Sequence, residues 1–147
     1  MIGSTRLKYG IALTIIDALS KKKRFYEVVM ITLVLNVLEY DPSIDLLIAL
    51  CGQSVLDREF KEDAAVRELL DASSGRIRLR SSVAGQFILT QCADPNTLVG
   101  VLTKMARAAD TYAGNVPLYF ELLKSLTRFS NLQHLFPEKD RGKAIIR

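Results

Sequence analysis

Histidine, tryptophan and cysteine are scarce in this sequence of 147 residues, which has one histidine, no tryptophan and two cysteines. A single histidine, His134, cannot build a histidine-rich metal site, and it lies in an apolar turn that favours a structural role over a general base. No Ser/His/Asp set can be assembled around it. The sequence therefore predicts no catalytic residues, no metal site and no cofactor.

Glycine-rich loops that hold nucleotide phosphates are also missing. The nearest pieces, residues 1–5 and 51–54, are not followed by lysine in the required place. Long apolar runs are missing too, because the most apolar stretch, residues 25–38, is shorter than the about 20 residues that span a bilayer. We therefore expect no membrane role.

Cys51 and Cys92 lie far apart among apolar neighbours, which predicts buried thiols. Residues 1–8 are polar and lack the charged-then-apolar order of a signal peptide. Both features predict a reduced, cytoplasmic setting.

Charge is distributed unevenly along the chain, although the total is only +4. Residues 1–40 carry a net +3, residues 41–75 a net −5, and residues 76–147 a net +6. An acidic block in the middle is unlike a uniform nucleic-acid binder and is typical of surfaces that face other parts of a larger protein.

Apolar residues at helical spacing predict a mainly α-helical chain. The pattern places helices at 7–19, 25–38, 44–51, 54–60, 62–70, 82–92, 95–112 and 117–129, a short helical piece at 131–136, and a further helix from residue 139. Ser81 or Ser82 is predicted to cap the helix that runs through Cys92. Val83 is predicted to face inward in that helix, and Gly85 to pack closely against another backbone. The acidic residues between 57 and 68 are predicted to form a solvated face.

One stretch, residues 76–80, instead alternates with a period of two, as a strand does. Three short helices followed by such a segment are the order of a winged-helix domain. The partner strand is expected near residues 56–60 or in a segment that the pattern does not identify. The predicted fold is mainly α, with a winged-helix-like unit that has one short β-hairpin, followed by a helical bundle or α-solenoid-like segment.

Three parts of one compact unit are expected. They are N-terminal helices at 1–40, the winged-helix-like unit at 41–93, and a C-terminal helical segment at 94–147 that ends within an element.

Two basic sets are candidate binding residues. In the predicted strand, Ile77 and Leu79 face one way, and the other face carries Arg76, Arg78 and Arg80. These arginines either contact phosphates or another domain, or pair with the acidic block at 57–71 and other acidic helices. The second set is a basic connector made of Lys21, Lys22, Lys23 and Arg24, and a solvated turn is favoured there over a phosphate contact.

The sequence of residues 75–89, GRIRLRSSVAGQFIL, resembles a segment that follows the ATPase core in STAND-type P-loop NTPases. Residues 119–147, with their Arg-Phe-Ser-Asn-Leu and Phe-Pro pieces, are similar to the helices that come next in that family. The resemblance implies a winged-helix-like and helical unit that joins a nucleotide-binding core to a sensor. It also implies that Arg76, Arg78 and Arg80 lie at a domain junction, near a nucleotide or another domain.

The leading functional prediction is a non-catalytic regulatory or interaction module, a fragment of a STAND-like signalling or defence NTPase without its P-loop. The parent protein would be an ATPase, and the partners of this chain would be other domains or protein chains. The alternative is a winged-helix protein that binds nucleic acid through the arginine strand and residues 21–24.

Overall fold

The structure is a computed structural model, and it describes residue 10 and residues 13–51, 57–72, 76–92 and 94–128. These residues are mainly helical with one short antiparallel sheet, which confirms the predicted fold class. The elements in chain order are α1 (13–20), α2 (Lys23–Val37), α3 (Ile44–Cys51), α4 (Arg58–Glu62), α5 (Ala64–Leu69), β1 (Leu70–Asp71), β2 (Arg78–Leu79), α6 (Ser82–Phe87), a π-helical turn (Ile88–Cys92), α7 (Pro95–Ala113) and α8 (Pro117–Thr127).

The central element is α2, around which α3, α6, α7 and β2 pack. Nine of its residues are buried, because apolar side chains occur on nearly every side of the helix between Phe25 and Leu35. The polar one, Thr32, donates its hydroxyl to the Val28 carbonyl at 2.9 Å, which satisfies a group that would otherwise be costly to bury. The predicted helix buried on most sides is confirmed.

The end of α2 turns the chain toward the hairpin. Glu39 lies in the left-handed region with φ 66°, where glycine is usual, and it follows the last turn of the helix. The N–H groups of Glu39 and Tyr40 donate to the carbonyls of Asn36 and Leu35 at 3.1 and 2.9 Å. The Tyr40 hydroxyl also lies 3.0 Å from the Ser125 hydroxyl, which joins this loop to α8.

Side-chain caps set the starts of α3, α4 and α5. The Ser43 hydroxyl accepts from a backbone N–H of the first turn of α3 at 3.2 Å. Asp57 and Asp63 accept in the same way at 3.0 and 3.1 Å. Helix α3 has the predicted bounds, whereas α5 begins two residues later than predicted because Asp63 is its cap. The start of the helix predicted at 54–60 lies outside the described residues, and α4 covers Arg58–Glu62.

β1 and β2 form the hairpin, with Leu70 opposite Leu79 and Asp71 opposite Arg78. The partner of β2 is therefore β1, the segment directly after α5. The expected partner near residues 56–60 was wrong, and the open alternative, a segment that the pattern does not identify, is the one that holds. Residues 58–60 belong to α4 and are not free to form a strand. Leu70 follows α5 in an extended conformation, so Leu70 and Asp71 can pair with β2. The N–H of Ile77 donates to the Pro42 carbonyl at 3.2 Å, which ties the hairpin to the loop after α2.

Two predictions about α6 were wrong. Val83 is 68 % exposed, because it lies two positions before the buried Gly85 and therefore on the opposite side of the helix, which Ser81 caps. Gly85 is buried, but it meets side chains and not another backbone. A Cβ at this position would lie 2.9 Å from Leu79 Cδ1 and 3.0 Å from Leu33 Cδ2. The missing side chain lets β2 and α2 approach α6 closely.

Helices α7 and α8 pack against each other and complete the described core. Asp94 caps α7 by accepting from the Thr97 N–H at 3.0 Å, and Pro95 occupies its first turn as predicted. Buried apolar residues from Ile15 to Leu126 form one cluster. The predicted elements at 131–136 and 139–147 lie outside the described residues. No helix within the described ranges has both the length and the apolar character to cross a membrane.

Candidate functional site

The hairpin presents its arginines to solvent and its apolar residues to the core, as alternation predicts. Ile77 is fully buried and Leu79 is half-buried, whereas Arg76, Arg78 and Arg80 are exposed. Arg76 Nη1 donates to Asp41 Oδ2 at 2.5 Å, in an ion pair whose two side chains are both about half-exposed. The partner of Arg76 is thus the loop before α3 and not the acidic residues at 57–71.

Arg80 makes a different contact, on the other side of the hairpin. Its Nε donates to the backbone carbonyl of Arg67 in α5 at 2.6 Å, and its own N–H donates to the Leu69 carbonyl at 2.9 Å. Within the described residues, the guanidinium group of Arg78 makes no ion pair. The three arginines are therefore held differently, and the structure does not gather them into one anion-binding cluster.

Two surface cavities flank the hairpin. One of about 450 Å³ is lined by Asn36, Glu39, Tyr40, Asp41, Pro42, Arg78 and Leu79. The other, of about 320 Å³, lies between the hairpin, α4 and α5, and Arg80 is at its rim. Arg78 and Arg80 thus belong to separate cavities, although they are two residues apart on one strand.

The basic set at 21–24 is mostly paired within the fold. Lys21 and Lys22 form the predicted turn, but Lys23 and Arg24 already belong to the first turn of α2, so the set is shorter as a connector than predicted. The Lys22 ammonium pairs with Asp63. Arg24 Nη2 lies 3.4 Å from Glu59 and 3.8 Å from Asp57.

Asp63 corrects the prediction of a fully solvated acidic face. Its side chain is only 4 % exposed, whereas Asp57, Glu59, Glu62 and Glu68 are exposed as predicted. Burial alone would raise the pKa of Asp63, but the hydrogen bond from Lys22 and the backbone N–H bonds from α5 outweigh burial and lower it. The carboxylate is therefore held in its charged form as both a cap and an ion-pair partner.

The Cys51 thiol is half-buried at the end of α3. Burial raises the pKa of Cys51 to about 12, and the nearby Lys104 ammonium offsets this only in part. The thiolate is the nucleophilic form, so burial disfavours nucleophilic chemistry at this cysteine. Nothing is described of the Cys92 side chain, and His134 lies outside the described residues. Within the described ranges, no three His, Cys, Asp or Glu side chains come together as a metal site.

Two sets of exposed residues were missed at the level of sequence. Lys61 and Arg67 lie beside Arg80 at the smaller hairpin cavity. They were missed because they belong to the stretch of residues 41–75, whose net charge is negative. At the turn between α7 and α8, four apolar side chains are between 38 and 50 % exposed, namely Tyr112, Val116, Leu118 and Phe120.

The chain matches no family model, no curated protein and no solved structure. The resemblance to STAND-type NTPases and the winged-helix assignment stay predictions from the sequence.

Proposed function

We propose that this chain is a non-catalytic regulatory or interaction module that contacts another domain or protein chain through its β-hairpin. The observation that carries this proposal is that, among the described residues, two hairpin arginines are bound within the fold and the third is not. Arg76 and Arg80 fasten the hairpin to the loop before α3 and to α5, and the guanidinium of Arg78 is exposed without an ion pair among the described residues. Because the strand is already fixed, binding at the hairpin costs little backbone entropy, and only the Arg78 side chain has to be ordered.

The STAND-like assignment adds a setting for this contact. In such a protein the hairpin would lie between the ATPase core and the sensor, and its arginines would hold one arrangement of the domains. The ATPase activity would belong to the parent protein, in the cytoplasm. An in-frame P-loop sequence upstream of the gene segment would support this setting.

Nucleic-acid binding is the second proposal. Exposed Lys61, Arg67, Arg78 and Arg80 without ion pairs in the described part favour it. Against it, the neighbouring α4 and α5 expose Glu59, Glu62 and Glu68, which would repel a phosphate backbone. We therefore rank a protein surface above a nucleic acid as the partner of the hairpin.

A gel-shift titration with DNA and RNA at two salt concentrations separates the two proposals. The chain and its Arg76/Arg78/Arg80→Ala variant would be titrated in parallel, with thermal melts to verify folding. The interaction proposal predicts weak binding that the substitutions barely change. Salt-sensitive binding that the triple variant loses would instead establish the nucleic-acid proposal.

Site-specific photo-crosslinking tests the interaction proposal directly in the producing cells. A crosslinking amino acid at position 78 is expected to give a discrete protein adduct, and the same amino acid at the exposed position 111 of α7 is the matched control. Equal adducts from both positions, or an adduct to nucleic acid alone, would contradict the proposal.

A further inference from the structure

The smaller cavity beside the hairpin combines an apolar floor with a cationic rim. Its volume of about 320 Å³ is near the lower end of ligand sites, so it suits one side chain or a small group more than an extended ligand. The floor is buried and the rim is exposed. The floor consists of Phe60, Val66, Leu70 and Ile77, the rim of Lys61, Arg67 and Arg80, and Asp71 and Ala72 complete the lining.

The rim cations are available for a ligand. None of Lys61, Arg67 and Arg80 makes an ion pair within the described residues, which distinguishes them from Lys22 and Arg24. Arg80 uses its Nε on the Arg67 carbonyl, and this hydrogen bond fixes the guanidinium at the rim while its two terminal nitrogens make no described contact. Among the described lining residues Asp71 is the one carboxylate, so their formal charge is +2.

Charge and shape together identify the kind of ligand. Three cations around an apolar floor complement a ligand with an apolar group flanked by carboxylates. A polyphosphate chain fits less well, because it brings no apolar group to the floor, and because α4 and α5 also expose carboxylates that repel phosphate.

We propose that this cavity binds an acidic peptide segment of a partner protein or domain. One aliphatic side chain of that segment occupies the apolar floor, and its flanking carboxylates pair with Lys61, Arg67 and Arg80. This inference rests on the proposed interaction function and gives the hairpin's partner a chemical class.

The test is a titration of the full, isotope-labelled chain with an acidic pentapeptide that has leucine at its centre and Asp or Glu at the other four positions. We expect amide shifts in the NMR spectrum to concentrate at residues 60–61, 66–72 and 77–80. Replacing the central leucine by glycine removes the group that covers the floor and should weaken binding about tenfold. Equal affinity of both peptides, shifts elsewhere, or no shifts at millimolar peptide would overturn the proposal.

Charge-removing variants test the rim. The double variant Arg67→Gln/Arg80→Gln loses two of the proposed ion pairs with the carboxylates of the peptide. It should therefore bind the acidic pentapeptide about fivefold more weakly. Arg107→Gln with Lys23→Gln is the matched control, because it also removes two charges, and both residues are exposed and make no described ion pair. An equal loss of peptide affinity in the control would mean that only the net charge of the protein matters, and it would overturn the proposed site.

Two further probes keep the result interpretable. If the double variant unfolds, a pentapeptide with lysine in place of its acidic residues, titrated into the unaltered chain, must bind at least fivefold more weakly than the acidic one. An oligothymidylate that binds the same residues more tightly than the acidic peptide would replace this proposal by nucleic-acid binding. If the acidic peptide does not bind but position 78 still gives a protein crosslink, the proposal for this cavity fails and the proposed interaction function is retained.

Discussion

Two basic regions of this molecule have similar composition but different partners. At the start of α2, Lys22 and Arg24 reach the two aspartates that cap α5 and α4. On the hairpin, Arg76 has an exposed partner, Arg80 binds a backbone carbonyl, and Arg78 has no described ion pair. The first region is neutralised within the fold, and the second keeps much of its charge for something outside it.

The difference follows from what each region packs against. Asp57 and Asp63 already have to point toward helix N-termini, and a cation placed beside such a cap gains a partner that is fixed in position. The hairpin arginines instead face away from the core because Ile77 and Leu79 face into it. A run of cations therefore indicates a binding surface only after its internal partners are known.

The largest effect is expected at the shared carboxylate of the first region. Asp63→Ala removes the cap of α5 and the partner of Lys22, and it should lower the free energy of unfolding by about 2 kcal/mol. Asp57→Ala is the control, since it removes a similar cap whose ion pair with Arg24 is long, at 3.8 Å, and exposed, and about 1 kcal/mol is expected. Denaturant unfolding of both variants measures the two values, and equal losses would deny the Lys22–Asp63 pair a structural role.

A smaller and pH-dependent effect is expected for Lys22→Met, about 1 kcal/mol at neutral pH, because Lys22 is itself more than half-exposed. The lowered pKa of Asp63 stabilises the fold above the ordinary value of 3.8, and this contribution disappears as pH falls through the lower value in the folded state. Unfolding measured between pH 7 and pH 2 should therefore show the difference from the unaltered chain shrinking in acid. A difference that grows in acid would contradict the assigned partner.

How far the sequence could predict these two regions depends on the range of the contacts. Alternation was enough to place Ile77 in the core and Arg78 in solvent, and helical spacing was enough for α2 and α7. The pairing of Lys22 with Asp63 joins residues 41 positions apart and leaves no periodic signal. The exposure of Val83 follows from Gly85 being the position of α6 that packs against Leu79 and Leu33, and an apolar valine at helical spacing gives no sign of this.

For the hairpin, Arg76→Ala should lower the free energy of unfolding by only about 0.5 kcal/mol, because both members of its ion pair are exposed. The same small loss is expected for Asp41→Ala. Chemical denaturation at low and high salt provides the measurement, and salt should remove most of the difference. If Arg76→Ala loses as much unfolding free energy as Asp63→Ala, then Arg76 is a structural residue like Lys22 and Arg24, and the contrast between the two regions fails.

The smallest stability effect is expected for Arg78→Ala, near zero, because the described residues offer its guanidinium no ion pair to lose. Partner capture should nevertheless fall, and this can be measured as the yield of a protein adduct from a crosslinker at the neighbouring exposed position 76 or at position 83. An unchanged adduct yield together with a clear loss of stability in Arg78→Ala would mean that Arg78 serves the fold and not a partner.

A pair of double-mutant cycles tests the contrast between the two regions most directly. One cycle combines Lys22→Met with Asp63→Ala, and the other combines Arg76→Ala with Asp41→Ala, each followed by denaturant unfolding at neutral pH. We predict a coupling energy of about 1 kcal/mol for the first pair and less than about 0.5 kcal/mol for the second. Equal couplings, or a larger one on the hairpin, would contradict the view that the first region serves the fold and the hairpin serves a partner.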